Sequence, residues 1–235
     1  GSAADAGVLE TYALGLGEPL RISAEHGEGM PDLYGALQPL AERMRPRTLD
    51  EMVGQRRLLA PGTALRRAVE SGRVHSMILW GPPGTGKTTI ARLLADSVGM
   101  RFESVSAVFS GVADLKKAFA AADKAAQAGQ RTLLFVDEIH RFNKAQQDGF
   151  LPHMEDGTIL LVGATTENPS FELNAALLSR AQVLILTRLN DADLERLAQR
   201  AEADLDRKLP LDAQARGQLI NMADGDGRSL LNLIE

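Results

Sequence analysis

Short apolar runs alternate with stretches of helical periodicity over most of the chain after the first 37 residues. Consecutive apolar residues rich in Ile, Leu and Val are typical of parallel strands buried on both faces. Five such runs are predicted as strands: Met77–Trp80, a weaker Phe102–Val105, Thr132–Val136, Ile159–Val162 and Val183–Leu186. Helical stretches lie near 87–98, 112–128 and 143–155, the last opening on an Asn143 N-cap with Gln146 as its capping-box partner. The alternation predicts an α/β fold with a five-stranded parallel sheet flanked by helices, and ligands beyond the carboxyl ends of its strands.

After Arg188 the strand pattern stops and only helical periodicity continues. Asp191–Leu205 reads as an amphipathic helix, and Ala213–Ala223 and Arg228–Glu235 are predicted as two more. This part is therefore expected to be a small all-α piece. Because its last helical pattern is still running at Glu235, we expect the natural protein to continue.

Composition narrows the functional classes. Of 235 residues, 44% are hydrophobic and 24% charged, which is ordinary for a globular protein, and cysteine is absent. Disulfides, thiolate zinc sites and cysteine nucleophiles are thereby excluded. No secretory signal pattern and no apolar run long enough to span a membrane occur, so a soluble cytoplasmic protein is expected. The net charge of −5 arises within residues 1–37, so binding of a nucleic acid would need a local basic patch.

Residues 81–88 read GPPGTGKT and match the phosphate-binding pattern G-x-x-x-x-G-K-[ST]. That pattern requires a strand before it and a helix after it, and both are predicted here. Glycines let successive amides point at a phosphate, and the helix amino terminus adds positive potential. Lys87 would reach the β- and γ-phosphates, and the Thr88 hydroxyl would bind Mg²⁺. The predicted nucleotide-binding residues are Pro83, Gly84, Thr85, Gly86, Lys87, Thr88 and Thr89.

Two acidic residues, Asp137 and Glu138, end the third predicted strand. In a phosphate-loop enzyme an Asp at this place supports the magnesium ion, and a neighbouring Glu can polarise the attacking water. An isolated acidic pair is more often a solvated turn, but its place after a phosphate loop favours the catalytic interpretation. After the fourth strand, Thr166 is predicted to lie between these acids and the γ-phosphate, with Asn168 as the alternative. Without the other motifs, an ordinary polar turn would be favoured there.

Three further residues have two interpretations each. Arg180 precedes the fifth strand and is either a surface arginine or a functional one. Arg228 opens the last helix, where capping by Asp226 is the simpler explanation of the local sequence. The four histidines have no metal-ligand spacing, and only His140 is near the acidic pair, as a structural residue or as part of a proton relay.

The order of these motifs resembles that of the AAA+ ATPases, with Ser179-Arg180 as the final element. Within AAA+, several segments resemble the replication-associated recombination protein A family, also described as the maintenance-of-genome-stability ATPases. That family is related to clamp-loader subunits and to the Holliday-junction branch-migration motor. The matching segments are DEIHRFNKAQQD at 137–148, LP at 151–152, EDG at 155–157, GATTENPSF at 163–171 and, on the adenine side, RPRTLDE at 45–51 and VGQ at 53–55.

The resemblance implies an AAA+ phosphate-loop ATPase fold over 38–187, followed by a truncated helical lid over 188–235. It implies ATP and Mg²⁺ as cofactors, with Thr88 and Asp137 at the metal. Glu138 is implied as the catalytic base and Thr166 as the first sensor of the γ-phosphate. The remaining implied roles are those of Arg180, an arginine finger acting on the neighbouring subunit, and Arg228, the second sensor in the lid.

The resemblance also implies partners. These are DNA at stalled forks or single-strand/duplex junctions, single-stranded DNA-binding protein and further copies of the same chain, in a nucleoid-associated location and with no membrane. Family members carry a helical oligomerisation domain after the lid, which this sequence lacks, so weak assembly and slow hydrolysis are expected. Residues 1–37 fall outside the pattern and resemble a fragment of a Der-type GTPase domain at 12–19 and 22–29. We expect this appended segment to have no function of its own.

Other functions remain open from the sequence alone. Within the enzymes, the alternative is a subunit like those of clamp loaders or of the Holliday-junction branch-migration motor. The alternative from a different class is a scaffold that binds nucleotide without hydrolysing it. The presence of Lys87, Glu138 and Arg180 disfavours this alternative. A GTPase based on the first segment would prefer guanine nucleotides.

Overall fold

The structure is a computed structural model that describes residues 39–235. Residues Arg45–Ile234 form one compact unit, and a second unit holds, among the described residues, 39–44 and Glu235. The second unit contributes the short helix α1, Leu40–Arg43. The predictions made for residues 1–37 lie outside the described residues.

The larger unit is built on a parallel sheet of five strands. The strands are β1 (Met77–Trp80), β2 (Arg101–Ser106), β3 (Thr132–Asp137), β4 (Ile159–Thr165) and β5 (Gln182–Ile185), in the spatial order β2-β3-β4-β1-β5. Every pairing is parallel, which confirms the predicted fold class. Because β1 lies between β4 and β5, the segments that follow these three strands come together at one edge of the sheet.

Helices cover both faces of the sheet and, after β5, form the all-α piece that the sequence analysis predicts as a lid. Before and between the strands lie α2 (Arg56–Leu59), α3 (Ala64–Glu70), α4 (Lys87–Ser97), α5 (Val112–Gln127), α6 (Lys144–Asp148), α7 (Leu151–Glu155), α8 (Pro169–Glu172) and α9 (Ala175–Leu178). The lid consists of α10 (Asp191–Asp204), α11 (Ala213–Ala223) and α12 (Gly227–Ile234), and 3₁₀ turns occupy Leu49–Glu51 and Ile139–Arg141. None of the helices described in 39–235 is long and apolar enough to cross a membrane.

Alternate residues of the central strand enter two separate apolar cores. Met77 and Leu79 of β1 pack with Ile90 and Leu94 of α4 in one core. Ile78, between them, belongs to the other core, which includes the rings of Phe142 and Phe150. Both faces of β1 are therefore buried, which explains why its sequence is a continuous apolar run rather than an alternating one.

The stretch predicted as one helix over 143–155 is two short helices. Asn143 caps α6, with the predicted capping box to Gln146, so the start of the stretch is as expected. Pro152 has no N–H to donate to the carbonyl of residue 148, so the helical ladder is interrupted between α6 and α7. The prediction of a continuous helix was wrong because it overlooked this missing donor.

The lid is held together by an apolar stripe and by an ion network around the buried Glu202. Leu194, Ala198 and Ala201 of α10 are buried, as the periodicity predicts. The Arg216 guanidinium bridges the carboxylates of Glu195 and Glu202, at 2.9 and 2.7 Å. Hydrogen bonds from Arg216, and then from the backbone of Leu209, lower the pKa of Glu202 to about 2. Glu202 thus stays ionised although its side chain is buried.

Candidate nucleotide-binding site

The segment Gly81–Thr88 leaves β1 and turns into α4, as its motif predicts. Gly84 and Gly86 have φ of +66° and +92°, a region that side-chain-bearing residues rarely adopt. The two glycines let the loop curl so that its amides lead into the first turn of α4. Thr85 closes the turn by donating its hydroxyl to the Pro82 carbonyl at 2.9 Å. A helix amino terminus preceded by such a curl is an anion-binding arrangement.

Lys87 lies beneath this loop. Its Nζ donates to the carbonyl oxygens of Gly81 at 2.6 Å and Pro82 at 2.8 Å, and the residue is 9% exposed. Burial lowers the pKa of the Lys87 ammonium, and nearby carboxylates act in the opposite direction. The cation is therefore held at the loop by backbone oxygens, at the position where the motif places it. The other predicted binding residues differ in exposure: Pro83 is exposed, Thr85 is buried, and Gly84, Gly86, Thr88 and Thr89 are half-buried.

Asp137 and Glu138 are two of the carboxylates whose charges act on Lys87, so the acidic pair and the loop share one site. Asp137 is the last residue of β3, and the next residue, Glu138, has a left-handed backbone with φ of 51°. For a residue other than glycine that conformation is strained, and such strain is concentrated at functional sites. It turns the chain sharply at the point where β3 ends and the 3₁₀ turn begins.

The end of β4 and the 3₁₀ turn after β3 supply the partners of Glu138. The Thr166 hydroxyl donates to Glu138 Oε2 over a long 3.4 Å, so the structure brings together these two predicted residues. His140 Nδ1 lies 3.3 Å from the same oxygen and 2.9 Å from the hydroxyl of Thr165, which is fully buried. Asn168, the alternative to Thr166, instead caps α8 by accepting from the amide of Ser170.

The lid reaches the phosphate loop at the start of α12. The amide of Gly227 donates to the Gly84 carbonyl at 3.3 Å, and the third carboxylate acting on Lys87 belongs to Asp226. Asp226 also accepts from the amide of Ser229 at 2.9 Å, which is the capping contact that the sequence indicates. Arg228 lies next to this contact, exposed in the first turn of α12.

Arg180 is not brought to the loop. Its guanidinium pairs with Glu155, with Nη2 at 2.6 Å and Nε at 2.8 Å from Oε1, and also donates to the Ala176 carbonyl at 3.0 Å. Both ionic side chains of the pair are about half exposed. The arginine therefore lies on the surface, which is where a residue serving a neighbouring subunit has to be.

Sequence reasoning missed the structural role of Gln55. Its side chain is buried and donates to the carbonyls of Thr187 at 2.7 Å and Thr85 at 3.4 Å. In return the Thr187 amide donates to Gln55 Oε1 at 3.2 Å. One amide side chain thus joins the phosphate loop to the link between β5 and the lid. The signal in the sequence was the Gly-Gln pair of the VGQ segment. In the structure both residues have a left-handed backbone, with φ of +79° at Gly54 and 51° at Gln55.

The donor set suits a magnesium nucleotide rather than a metal held by protein alone. Among residues 39–235 there is no group of three or more His, Cys, Asp or Glu side chains able to hold a metal ion. Mg²⁺ in phosphate sites needs only one or two protein oxygens and takes the rest from phosphates and water. Thr88, in the first turn of α4, and Asp137 offer a hydroxyl and a carboxylate of that kind, and Lys87 offers a cation for phosphate.

Comparison with known proteins agrees with this geometry. Residues 77–189 match the family model of the ATPase family associated with various cellular activities, AAA. Among solved structures, the chain is similar to the RuvB Holliday junction branch migration motor of Thermotoga maritima. That similarity has a TM-score of 0.65 at 28% identity and covers 81% of this chain and 64% of the other. The five-stranded parallel sheet and the phosphate loop are thus those of an AAA ATPase.

Relatives in sequence narrow the class further. The chain is 52% identical over 203 residues to the replication-associated recombination protein A of Escherichia coli K12, covering 84% of this chain and 45% of that protein. It is 38% identical over 204 residues to the Bacillus subtilis protein of the same name, covering 85% and 48%. The chain belongs to the replication-associated recombination protein A family of AAA ATPases. It spans about half the length of these relatives.

Proposed function

We propose that this chain hydrolyses ATP and that hydrolysis serves the handling of DNA during replication and recombination. The observation that carries the proposal is the buried Lys87 ammonium inside a phosphate loop, with the carboxylates of Asp137 and Glu138 close enough to act on it. The names of the relatives support the setting in replication and recombination. They also support action in the cytoplasm, beside the nucleoid.

The loop residues are assigned to nucleotide binding. The amides of Gly84, Thr85 and Gly86 would donate to the phosphates, with Pro83 shaping the loop beside them and Thr89 nearby in the first turn of α4. Lys87 would give up its two carbonyl partners for phosphate oxygens. Thr88 and Asp137 would hold Mg²⁺. When bound, the ion supplies positive charge that neutralises the β- and γ-phosphate oxygens.

Glu138 is assigned as the general base that takes a proton from the attacking water. Its carboxylate has the Thr166 hydroxyl as a donor, which supports a role of Thr166 in aligning base and γ-phosphate. General base catalysis, the role assigned to Glu138, contributes a factor of about 10²–10⁴ to the reaction rate.

Arg228 is assigned to sensing of the nucleotide by the lid, because it lies beside the contact between Gly227 and the phosphate-loop residue Gly84.

Arg180 is assigned to the nucleotide of a neighbouring subunit. Its exposed position and its contacts with Glu155 and Ala176, neither of which belongs to the phosphate loop, support action in trans. An arginine finger contributes about 10³–10⁵ in rate in related phosphoryl transfers. Turnover per subunit should therefore rise with protein concentration as homo-oligomers form.

The decisive experiment compares Glu138→Gln with the wild type in ATP binding and in phosphate release. We expect binding to be retained and turnover to fall by about 100-fold or more. Glu172→Gln, an exposed acid on α8, is the matched control and should change neither quantity. Unchanged turnover in Glu138→Gln would remove Glu138 from the mechanism. A wild type that binds ATP without any turnover would favour the nucleotide-binding scaffold.

Mixing two inactive variants tests the assignment of Arg180. Arg180→Ala keeps a complete loop and base, whereas Glu138→Gln keeps the arginine. If Arg180 acts in trans, a mixture should turn over ATP faster than either variant alone, because some interfaces combine an intact base with an intact arginine. A mixture that is no faster than the sum of its components would contradict the assignment.

The DNA partner is tested by stimulation of turnover. We expect forked DNA or a single-strand/duplex junction to raise the rate, and single-stranded DNA-binding protein to increase the effect on such substrates. Branch migration is the second candidate, because the similarity to the RuvB motor favours it. Stimulation by a four-way junction but not by a fork would support that candidate.

Competition between ATP and GTP tests the guanine preference that a function of residues 1–37 would require.

A further inference from the structure

His140 connects the proposed base to the buried end of β4. It lies in the 3₁₀ turn directly after Glu138, and its side chain is 11% exposed. Its Nδ1 is 2.9 Å from Thr165 Oγ1 and 3.3 Å from Glu138 Oε2. A single ring nitrogen therefore faces a fully buried hydroxyl and the carboxylate to which the proposed function assigns proton abstraction.

The hydrogen bonds of Thr165 and the neighbouring Glu138 carboxylate together indicate where the imidazole proton lies. The Thr165 oxygen accepts from the amide of Glu167 at 3.0 Å, and its only proton is directed at the Glu167 carbonyl, 3.2 Å away. With that proton on the Glu167 carbonyl, His140 Nδ1 is the donor in its 2.9 Å contact with the hydroxyl. The Glu138 carboxylate beside Nδ1 favours this arrangement over the reverse one, in which the hydroxyl donates to a bare Nδ1. A proton on Nδ1 also turns the 3.3 Å contact with Glu138 into an attraction, whereas a bare nitrogen would point its lone pair at a carboxylate.

We propose that His140, protonated at Nδ1 and fixed by Thr165, is a positioning residue that holds the Glu138 carboxylate for catalysis. This inference rests on the proposed function, because it takes Glu138 to be the base. Glu138 Oε2 then has two donors, His140 Nδ1 and Thr166 Oγ1, and both are tied to the end of β4. Catalytic groups have to be held within about 0.5 Å of their productive positions, which weak single contacts do not achieve.

The assignment to one nitrogen makes a sharp pair of variants. The amide nitrogen of Asn lies at about the reach of imidazole Nδ1, whereas that of Gln lies at about the reach of Nε2. His140→Asn should therefore retain most of the kcat, and His140→Gln should lose it by about 10-fold or more, within the 10²–10⁴ that the base itself supplies. The KM for ATP should change little in either variant, since His140 has no assigned contact with nucleotide.

Two further variants separate positioning from structural damage. In a Glu138→Gln background, His140→Gln should cause no additional loss, because a residue that acts through Glu138 has nothing left to act on. His153→Gln is the matched control: His153 is half-buried, stacks on Phe119, and should leave turnover unchanged when substituted. Equal kcat in His140→Asn and His140→Gln, or fully additive losses with Glu138→Gln, would overturn the proposal.

A measurement on the unaltered protein covers the case in which a variant fails to fold. Nitrogen-15 NMR distinguishes the tautomers of neutral histidine, and a spectrum at about pH 9 lies well above the range in which free imidazole titrates. We expect a protonated Nδ1 at His140, and an Nε2-only tautomer would overturn the proposal. Failure of this inference can be told apart from failure of the proposed function. Undiminished turnover in Glu138→Gln would contradict the proposed function, whereas the tautomer of His140 is measured without any turnover.

Discussion

Gly163 is the position where adding one methyl group should have the clearest consequence. It is buried in β4 and pairs with Ile78 of β1 on one side and Val136 of β3 on the other. A Cβ built on Gly163 would lie 2.8 Å from Ile78 Cδ1, and 3.0 and 3.2 Å from Cδ1 and Cγ2 of Ile139. Both isoleucines are 0% exposed, so neither can move into solvent.

The size of the effect follows from these contacts. Forcing an extra methyl group into a well-packed core costs about 1–3 kcal/mol. For a domain of this size, each kcal/mol lowers Tm by about 2–4 °C. Because Ile139 directly follows Glu138, its displacement should also disturb the base, so turnover should fall by more than the loss of folded protein explains.

Urea denaturation of Gly163→Ala checks the stability, with Ile78→Val as a second site. Removing Ile78 Cδ1 costs about 0.5–1.5 kcal/mol alone but relieves the shortest contact of the new methyl group, so the double variant should be more stable than the two single losses predict. Gly217→Ala is the control, since nothing lies within 4 Å of its Cβ in α11, and it should stabilise by about 0.5–1 kcal/mol. Wild-type stability in Gly163→Ala, or strict additivity with Ile78→Val, would refute the reasoning.

Two further predictions concern the lid and its contact with the phosphate loop. Arg216 lowers the pKa of Glu202 from 4.5 to about 2, so the stabilisation by Glu202 is complete above about pH 4.5 and lost as the pH falls toward 2. Thermal unfolding followed between pH 5 and 2.5 should accordingly show a steeper loss for the wild type than for Glu202→Gln, and parallel curves would contradict the assignment. Gly84→Ala should destabilise by about 1–2 kcal/mol from its left-handed backbone alone, and further because its Cβ would lie 1.7 Å from Asp226 Oδ1. Asp226→Gly, which costs only a few tenths of a kcal/mol as a cap, should restore the steric part of that loss, and an unchanged Tm on adding it would show that the two residues do not meet.

Local sequence was sufficient for the fold. The run Met77–Trp80 is β1 to the residue, and Ala213–Ala223 is α11 to the residue, because both are bounded by residues with clear stop signals. β4 extends to Thr165, three residues beyond its prediction, since Gly163 and Ala164 interrupt the apolar run without interrupting the hydrogen bonds to β1. The one broken helix followed from Pro152, which removes a donor rather than changing the apolar periodicity.

The candidate site was predictable where one segment carries the chemistry, and less so where distant segments meet. The phosphate loop and the Asp137-Glu138 pair were found because each is a short motif in a fixed context. The contact of His140 with Thr165 spans 25 positions, and that of Arg180 with Glu155 also spans 25, so no local pattern encodes either. Their functional roles stay predictions until the variants are measured.

The bridge made by Gln55 has a consequence for the order in which the molecule assembles. Its two partners lie 30 and 132 positions away along the sequence. Both hydrogen bonds can therefore form only after these separate segments of the chain have been brought together. Closing such long loops costs entropy, and formation of the sheet has to offset that cost first. We therefore expect the Gln55 hydrogen bonds to form late in folding. Deuterium uptake at the Thr187 amide, which donates to Gln55 Oε1, therefore reports whether the link between β5 and α10 is intact, without any substitution in the chain.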